Sequence, residues 1–135
     1  MALRVTFDCV DPHAQARFWA AALDYDVEDD EENIAGVVAA GHVPADSEDI
    51  VTIDGRRAWR DDAGAHSRDS ADRLLFQRVP GEKTAKNRIH LDLHVAAAAA
   101  TIEQLFAFVP RSCGTVDSAP RRGSRSGTPR ATSSA

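Results

Sequence analysis

Two imidazoles and a carboxylate recur at every second position of RIHLDLHV (residues 88–95), as His90, Asp92 and His94. The apolar residues between them make this the clearest two-residue alternation in the chain, the pattern of a strand with one polar face. Three such groups on one face suggest a metal site, but the geometry opposes it. At roughly 3.3 Å per residue, His90 and His94 stand about 13 Å apart. One ion cannot reach both at ligand distances of about 2.0–2.1 Å. Two readings of His90 and Asp92 remain: polar groups of a binding surface, one able to act as a general base, or a hydrogen-bonded pair that only organises that surface.

The elements that must position these groups are legible as a series. LRVTFDCV (3–10) alternates, with Leu3, Val5, Phe7 and Cys9 on one side and Arg4, Thr6 and Asp8 on the other. DPHAQARFWAAAL (11–23) predicts a helix capped by Asp11, with Pro12 in its first turn and Phe18, Trp19, Ala22 and Leu23 as its apolar face. YDVED (25–29) reads as a short strand, and NIAGVVAAG (33–41) as strand or short helix. DIVTIDGRRAWR (49–60) predicts a hairpin turning at Asp54-Gly55. DDAGAHSRDSAD (61–72) reads as a polar loop, RLLFQRV (73–79) as a strand and PGEKTAKN (80–87) as a connector without phosphate-loop spacing. AAAAATIEQLFAF (96–108) predicts a helix with Ile102, Leu105 and Phe106 on its apolar face. The unit opening at His90 repeats the strand-to-helix order of the unit opening at Arg4, an offset of 86 residues.

Composition bounds the function classes. The chain has 135 residues, 43% of them hydrophobic, which suits one packed domain. Residues 1–108 carry 11 Lys and Arg against 20 Asp and Glu, whereas residues 109–135 carry five Arg against the single acid Asp117. An acidic body argues against nucleic-acid binding. Five Arg without interleaved aromatics make a weak nucleic-acid arm. No apolar run is long enough to span a bilayer, no signal peptide is read, and Cys9 and Cys113 match no metal spacing. A cytoplasmic setting is expected. His13, His42 and His66 sit at a helix start or in loops and read as solvated, and GRRAWRDD as a charged strand end.

DPHAQARFWAAAL, GRRAWRD, LLFQRVP and NRIHLDLHV, in that order, resemble the glyoxalase-like domains of the vicinal oxygen chelate superfamily. That superfamily includes glyoxalase I, extradiol dioxygenases and bleomycin-resistance proteins. The resemblance covers residues 3–108 and implies an α+β fold of paired βαβββ modules. Module one spans residues 1–80, and the start of an incomplete module two spans residues 87–108. It also implies a cleft lined by the inner strand faces. Arg4, Thr6, Asp8, Trp59, Gln77, His90 and Asp92 are the candidate cleft residues. Gln77 is the best neutral hydrogen-bonding contact, and Trp59 either stacks on a ligand or fills core. Metal-using relatives place a ligand on the first strand of each module. His90 falls on that position in module two, but its counterpart Arg4 cannot ligate a metal. No catalytic residue is assigned. The resemblance implies a metal-independent small-molecule-binding protein, with a metal-dependent lyase, isomerase or dioxygenase as the alternative, a divalent metal as the only cofactor then implied, and a homodimer as the partner arrangement.

Relatives close the second module with strands resembling LWDG and WVTL and an ending resembling DPEGNEFC, none of which follows Phe108 here. The ending lies in another reading frame. GTPRATSSA (127–135), back-translated with freely chosen wobble bases as GGG ACC CCG AGG GCA ACG AGT TCT GC, gives DPEGNEFC when read from its third base. Restoring one G after Phe108 turns the whole tail into GAAVLWDGRLGPASWVTLGDPEGNEFC. The near-absence of Lys beside abundant Arg and Ala fits GC-rich coding DNA. Residues 109–135 are therefore expected to be an out-of-frame, disordered tail, and a non-functional truncated product is the third functional reading. Loss of the closing strands predicts aggregation, or a swapped or oligomeric arrangement, through an exposed strand edge.

Overall fold

The computed structural model describes residues 2–81, 83–88 and 90–108. The expected disordered tail lies outside the described residues. The elements in chain order are β1 (Arg4–Cys9), α1 (Pro12–Leu23), β2 (Asp26–Val27), α2 (Glu31–Ala39), β3 (Ile50–Ile53), β4 (Arg56–Trp59), β5 (Asp62–His66), β6 (Arg73–Arg78) and α3 (Ala98–Phe106). One mixed sheet has the order β1-β6-β5-β2, with β1 parallel to β6 and the other pairs antiparallel; β3 and β4 form a separate hairpin. This α+β arrangement is that of a partial βαβββ module. No helix among the described residues is long and apolar enough to cross a membrane.

The period-two pattern of β1 decides its faces. Val5, Phe7 and Cys9 are half-buried, whereas Arg4, Thr6 and Asp8 are exposed. Register carries the same division across the sheet. Phe7 lies opposite Phe76 of β6, and Phe76 opposite Ala63 of β5, all on the face that α1 covers. Helix α1 starts where the sequence predicts, with the Asp11 carboxylate accepting the Ala14 N–H at 3.0 Å and Pro12 in the first turn. It stops at Asp24, whose left-handed φ of 56° lets its N–H bond the Ala20 carbonyl.

The helix face in deepest contact is not the aromatic one expected. Pro12, Ala14, Ala16 and Ala20 are the buried residues of α1, and Ala16 packs against Ala63, Leu74 and Phe76 of the sheet. Small residues on both sides let helix and sheet approach closely. Phe76, 1% exposed, supplies bulk beside them and stacks on Phe7 at 5.5 Å between ring centroids. Trp19 stacks on the other side of Phe7 at 6.4 Å, and Phe18 meets Trp19 edge-on. Packing of this kind dominates the stability of a small domain.

Three segments differ from the sequence reading. Residues 61–72 are not all loop, because Asp62–His66 form β5, an interior strand of the sheet. DAGAH lacks the β-branched residues that announce a strand, and the helix above it demands small ones. The ambiguous 33–41 segment resolves as α2, with Ile34 fully buried. In RIHLDLHV the described residues form no strand and are exposed, Leu91 at 47% and Leu93 at 37%. Alternation only makes a segment ready to pair, and a strand needs a hydrogen-bonded neighbour. The predicted hairpin is present, with Asp54 and Gly55 at φ 50° and 82°, the positive pair that a two-residue turn requires.

Truncating Phe76 to Ala should cost about 3–5 kcal/mol in a denaturant titration. Asp11→Ala should cost about 1 kcal/mol, the loss of a helix cap. A Phe76→Ala loss no larger than that of Asp11→Ala would contradict the core described above.

Candidate functional site

The sheet face opposite α1 is polar, and its centre is organised by one glycine. After β2 the Glu28 N–H donates to the Gly64 carbonyl at 2.9 Å, carrying Glu28 onto this face beside β5. Its side chain then crosses directly over Gly64, where a Cβ would collide with the carboxylate. On the far side Arg73 of β6 completes a two-pronged pair, its Nε donating to Glu28 Oε1 at 2.5 Å and a terminal nitrogen to Oε2 at 2.6 Å. Both side chains are about three-quarters buried, with exposures of 32% and 22%, so the pair is more than surface decoration. The Glu28 hydrogen bonds hold the Arg73 guanidinium above its ordinary pKa against partial desolvation, with help from the nearby Asp30 and Asp62 carboxylates.

Above this pair lies a groove of about 440 Å³ lined by Glu28, Asp30, Asn33, Trp59, Asp62, Gly64, Arg73, Leu75 and Gln77, among others. Its rim comes from α2 and the hairpin, which are tied together by charge. The Arg57 N–H and Nε donate to the two Glu31 carboxylate oxygens at 2.9 and 2.8 Å, and Arg56 meets Asp29 at 2.5 Å. The Arg57 backbone N–H, more than its side chain, holds the Glu31 carboxyl below the usual carboxylate range. The clamp presents Trp59 to the groove with its indole N–H donated to Asn33 Oδ1 at 3.2 Å. His13, expected to be solvated, instead places Nε2 2.9 Å from the Trp59 carbonyl and braces the same residue from α1.

Asp30 sits at the junction. It precedes α2 without capping it, since Asp29 accepts the Glu31 N–H instead. Partial burial pushes its carboxyl above the ordinary value of 3.8, helped by Glu28 and opposed by the Trp59 backbone N–H and by His13. A smaller hollow of about 220 Å³ on the other side of Asp30 is lined by His13, Arg17, Asp54 and Arg56. Its cations are already committed, Arg17 to Asp54 and Arg56 to Asp29. The larger groove, where polar groups converge on the sheet face, is the better candidate.

Of the seven residues singled out from the sequence, Trp59 and Gln77 line this groove. Arg4, Thr6 and Asp8 share its face one strand away, opposite Arg73, Leu75 and Gln77, and stand exposed. His90 and Asp92 are exposed, lie in no strand and are absent from the groove lining. Sequence reasoning missed Glu28, Asp30, Asp62 and Arg73. Arg73 was within reach, because alternation puts it on the face of Gln77. The acids sit in acidic stretches that give no sign of which member turns inward.

A divalent ion does not fit these donors. The Arg73 guanidinium takes up the Glu28 carboxylate, and no group of three or more His, Cys, Asp or Glu able to hold a metal exists among the described residues. Residues 4–108 match the model of the glyoxalase-like domain family. Neither a curated protein nor a solved structure matches the chain.

Gly64→Ala should force Glu28 off its path and destabilise the protein by about 1–3 kcal/mol. In a Glu28→Ala background the same change should cost much less, a coupling that a double-mutant cycle measures. The raised carboxyl of Asp30 gives a signed pH effect. A carboxyl with a folded pKa above its unfolded value favours folding below 3.8 and opposes it as pH rises through the raised value. Asp30→Asn should therefore raise the melting temperature at pH 7, with the gain fading as pH falls through the raised value and gone below the ordinary one.

Proposed function

Because the chain belongs to the glyoxalase-like domain family, we propose that it binds a small organic molecule in the groove above the Glu28–Arg73 pair without a metal ion, and that the ligand carries a positive charge. The observation that carries this reading is the charge balance. Glu28, Asp30 and Asp62 face a single guanidinium, Arg73, around a groove walled on one side by Trp59. Glu28 neutralises Arg73, leaving two carboxylates without a basic side chain bonded to them among the described residues. Arg4 at the position where metal-using relatives place a ligand supports the metal-free reading. An organic ammonium group could meet the carboxylates while its apolar part lies on Trp59 and Leu75. Gln77 would add a neutral hydrogen bond.

Calorimetric titration with benzyltrimethylammonium, and with benzoate as its anionic counterpart, tests this directly. The cation should bind saturably and benzoate should not. Trp59→Leu should weaken the cation roughly two- to thirtyfold, and Asp62→Asn should weaken it in the same direction. Preference for benzoate would overturn the charge assignment. Stoichiometric divalent metal in the purified protein would overturn the metal-free reading and favour a lyase, isomerase or dioxygenase.

The shifted frame supports a second reading, in which residues 109–135 are the out-of-frame translation of the domain's closing strands. Resequencing the coding DNA across the codons for Leu105 to Gly114 checks it. An extra G after Phe108 restores the family ending. Its absence means that the chain carries the tail as written, and the reading is then of a truncated product.

A further inference from the structure

The polar face of the sheet carries its charges in order. Register across β1, β6 and β5 sets the side chains in rows. Asp8, Gln77 and Asp62 form one row, Thr6, Leu75 and Gly64 the next but one on each strand, and Arg4, Arg73 and His66 the third. The first row is acidic and the third is basic. They lie four positions apart along each strand, about 13 Å at roughly 3.3 Å per residue. Between them the half-buried Leu75 makes an apolar centre.

The two ends leave charge unanswered. In the basic row Arg4 stands beside Arg73 on the neighbouring strand, a like-charge pair that is unfavourable unless both members are compensated. Glu28 takes Arg73, and Asp24 and Asp26 take Arg68. Among the described residues no carboxylate pairs with Arg4, which is exposed. In the acidic row, Arg78, the next residue of β6, pairs with Asp61 rather than with Asp8 or Asp62.

Resting on the cationic reading of the groove, we propose that its ligand is an elongated zwitterion. Its ammonium group lies beside Asp30 and Asp62, its apolar spacer over Leu75 and against Trp59, and its anionic group is held by Arg4. The groove lining supplies the first two contacts. Arg4 extends that face by one strand beyond Arg73, about 4.8 Å. Among the described residues its guanidinium is bonded to no side chain, so its planar fork of donors is open to an oxyanion. Four positions along the strands and two strands across set Asp62 and Arg4 about 16 Å apart at Cα. Side chains stand roughly perpendicular to a sheet, and the long Arg4 side chain can lean toward the groove. The two ligand charges therefore stand on the order of 10 Å apart, too far for an α-amino acid. The opposed rows also fix direction, because a reversed ligand would set each of its charges against a row of like sign.

Calorimetry on the full chain with ω-(trimethylammonio)octanoate, its methyl ester and octanoate tests this. The ester keeps the chain and the cation and lacks the anion. The zwitterion should bind roughly fivefold tighter than the ester, and octanoate should not bind. In Arg4→Gln the ratio of zwitterion to ester affinity should fall to near unity. Arg4→Lys should restore part of it, because the charge returns without the planar fork. Arg68→Gln, the same loss of charge away from the groove, should keep the wild-type ratio. The proposal is overturned if the ester binds and the zwitterion binds no tighter, or if the zwitterion's advantage survives Arg4→Gln. In both cases the cationic reading of the groove stands. Octanoate matching the zwitterion, or no binding of zwitterion and ester alike, overturns that reading and this one together.

Discussion

The two-pronged bond from Arg73 to Glu28 passes over Gly64, the one polar-face position of β5 that lacks a side chain. That coincidence ties the interior of the sheet to the segment between β2 and α2. Without the Gly64 gap the carboxylate could not lie flat against the strand. Without Arg73 it would be a partly buried charge with no partner, a costly state. Asp29, Asp30 and Glu31 follow in sequence, so anchoring Glu28 also sets where α2 begins and where the hairpin docks through Arg56 and Arg57. The groove is what remains between this anchored segment and the sheet.

The two faces of the sheet solve opposite problems. Under α1 the requirement is close approach, met by Ala16 against Ala63 with Phe76 filling the space beside them. On the groove face the requirement is charge compensation, and the structure meets it only in part. One guanidinium stands among three carboxylates, so the field at the groove is negative. Partial burial raises the carboxyl of Asp30 rather than expelling it, a pattern common where a surface is shaped for a ligand as well as for stability. The scaffold is that of a family whose members house many chemistries on one architecture, so the site's own groups must carry the functional argument.

Sequence order and local chemistry determined much of this protein. The Asp11 cap with Pro12, the alternation of β1 and β6, and the Asp54-Gly55 turn all act through neighbours a few residues apart, and each is where the sequence places it. Gln77 and Trp59, cleft candidates only through the family resemblance, stand in the lining of the groove. Tertiary structure decided the rest. It made a strand of DAGAH, because a helix rich in alanine needs a floor of small residues and local propensity knows nothing of that helix. It left the described residues of RIHLDLHV outside any strand despite the stronger pattern, because a strand exists only beside another. It chose Glu28 and Asp30 from a run of acids, because which carboxylate is drawn inward depends on Gly64 and Arg73, residues some forty positions away whose distance in space no local pattern encodes.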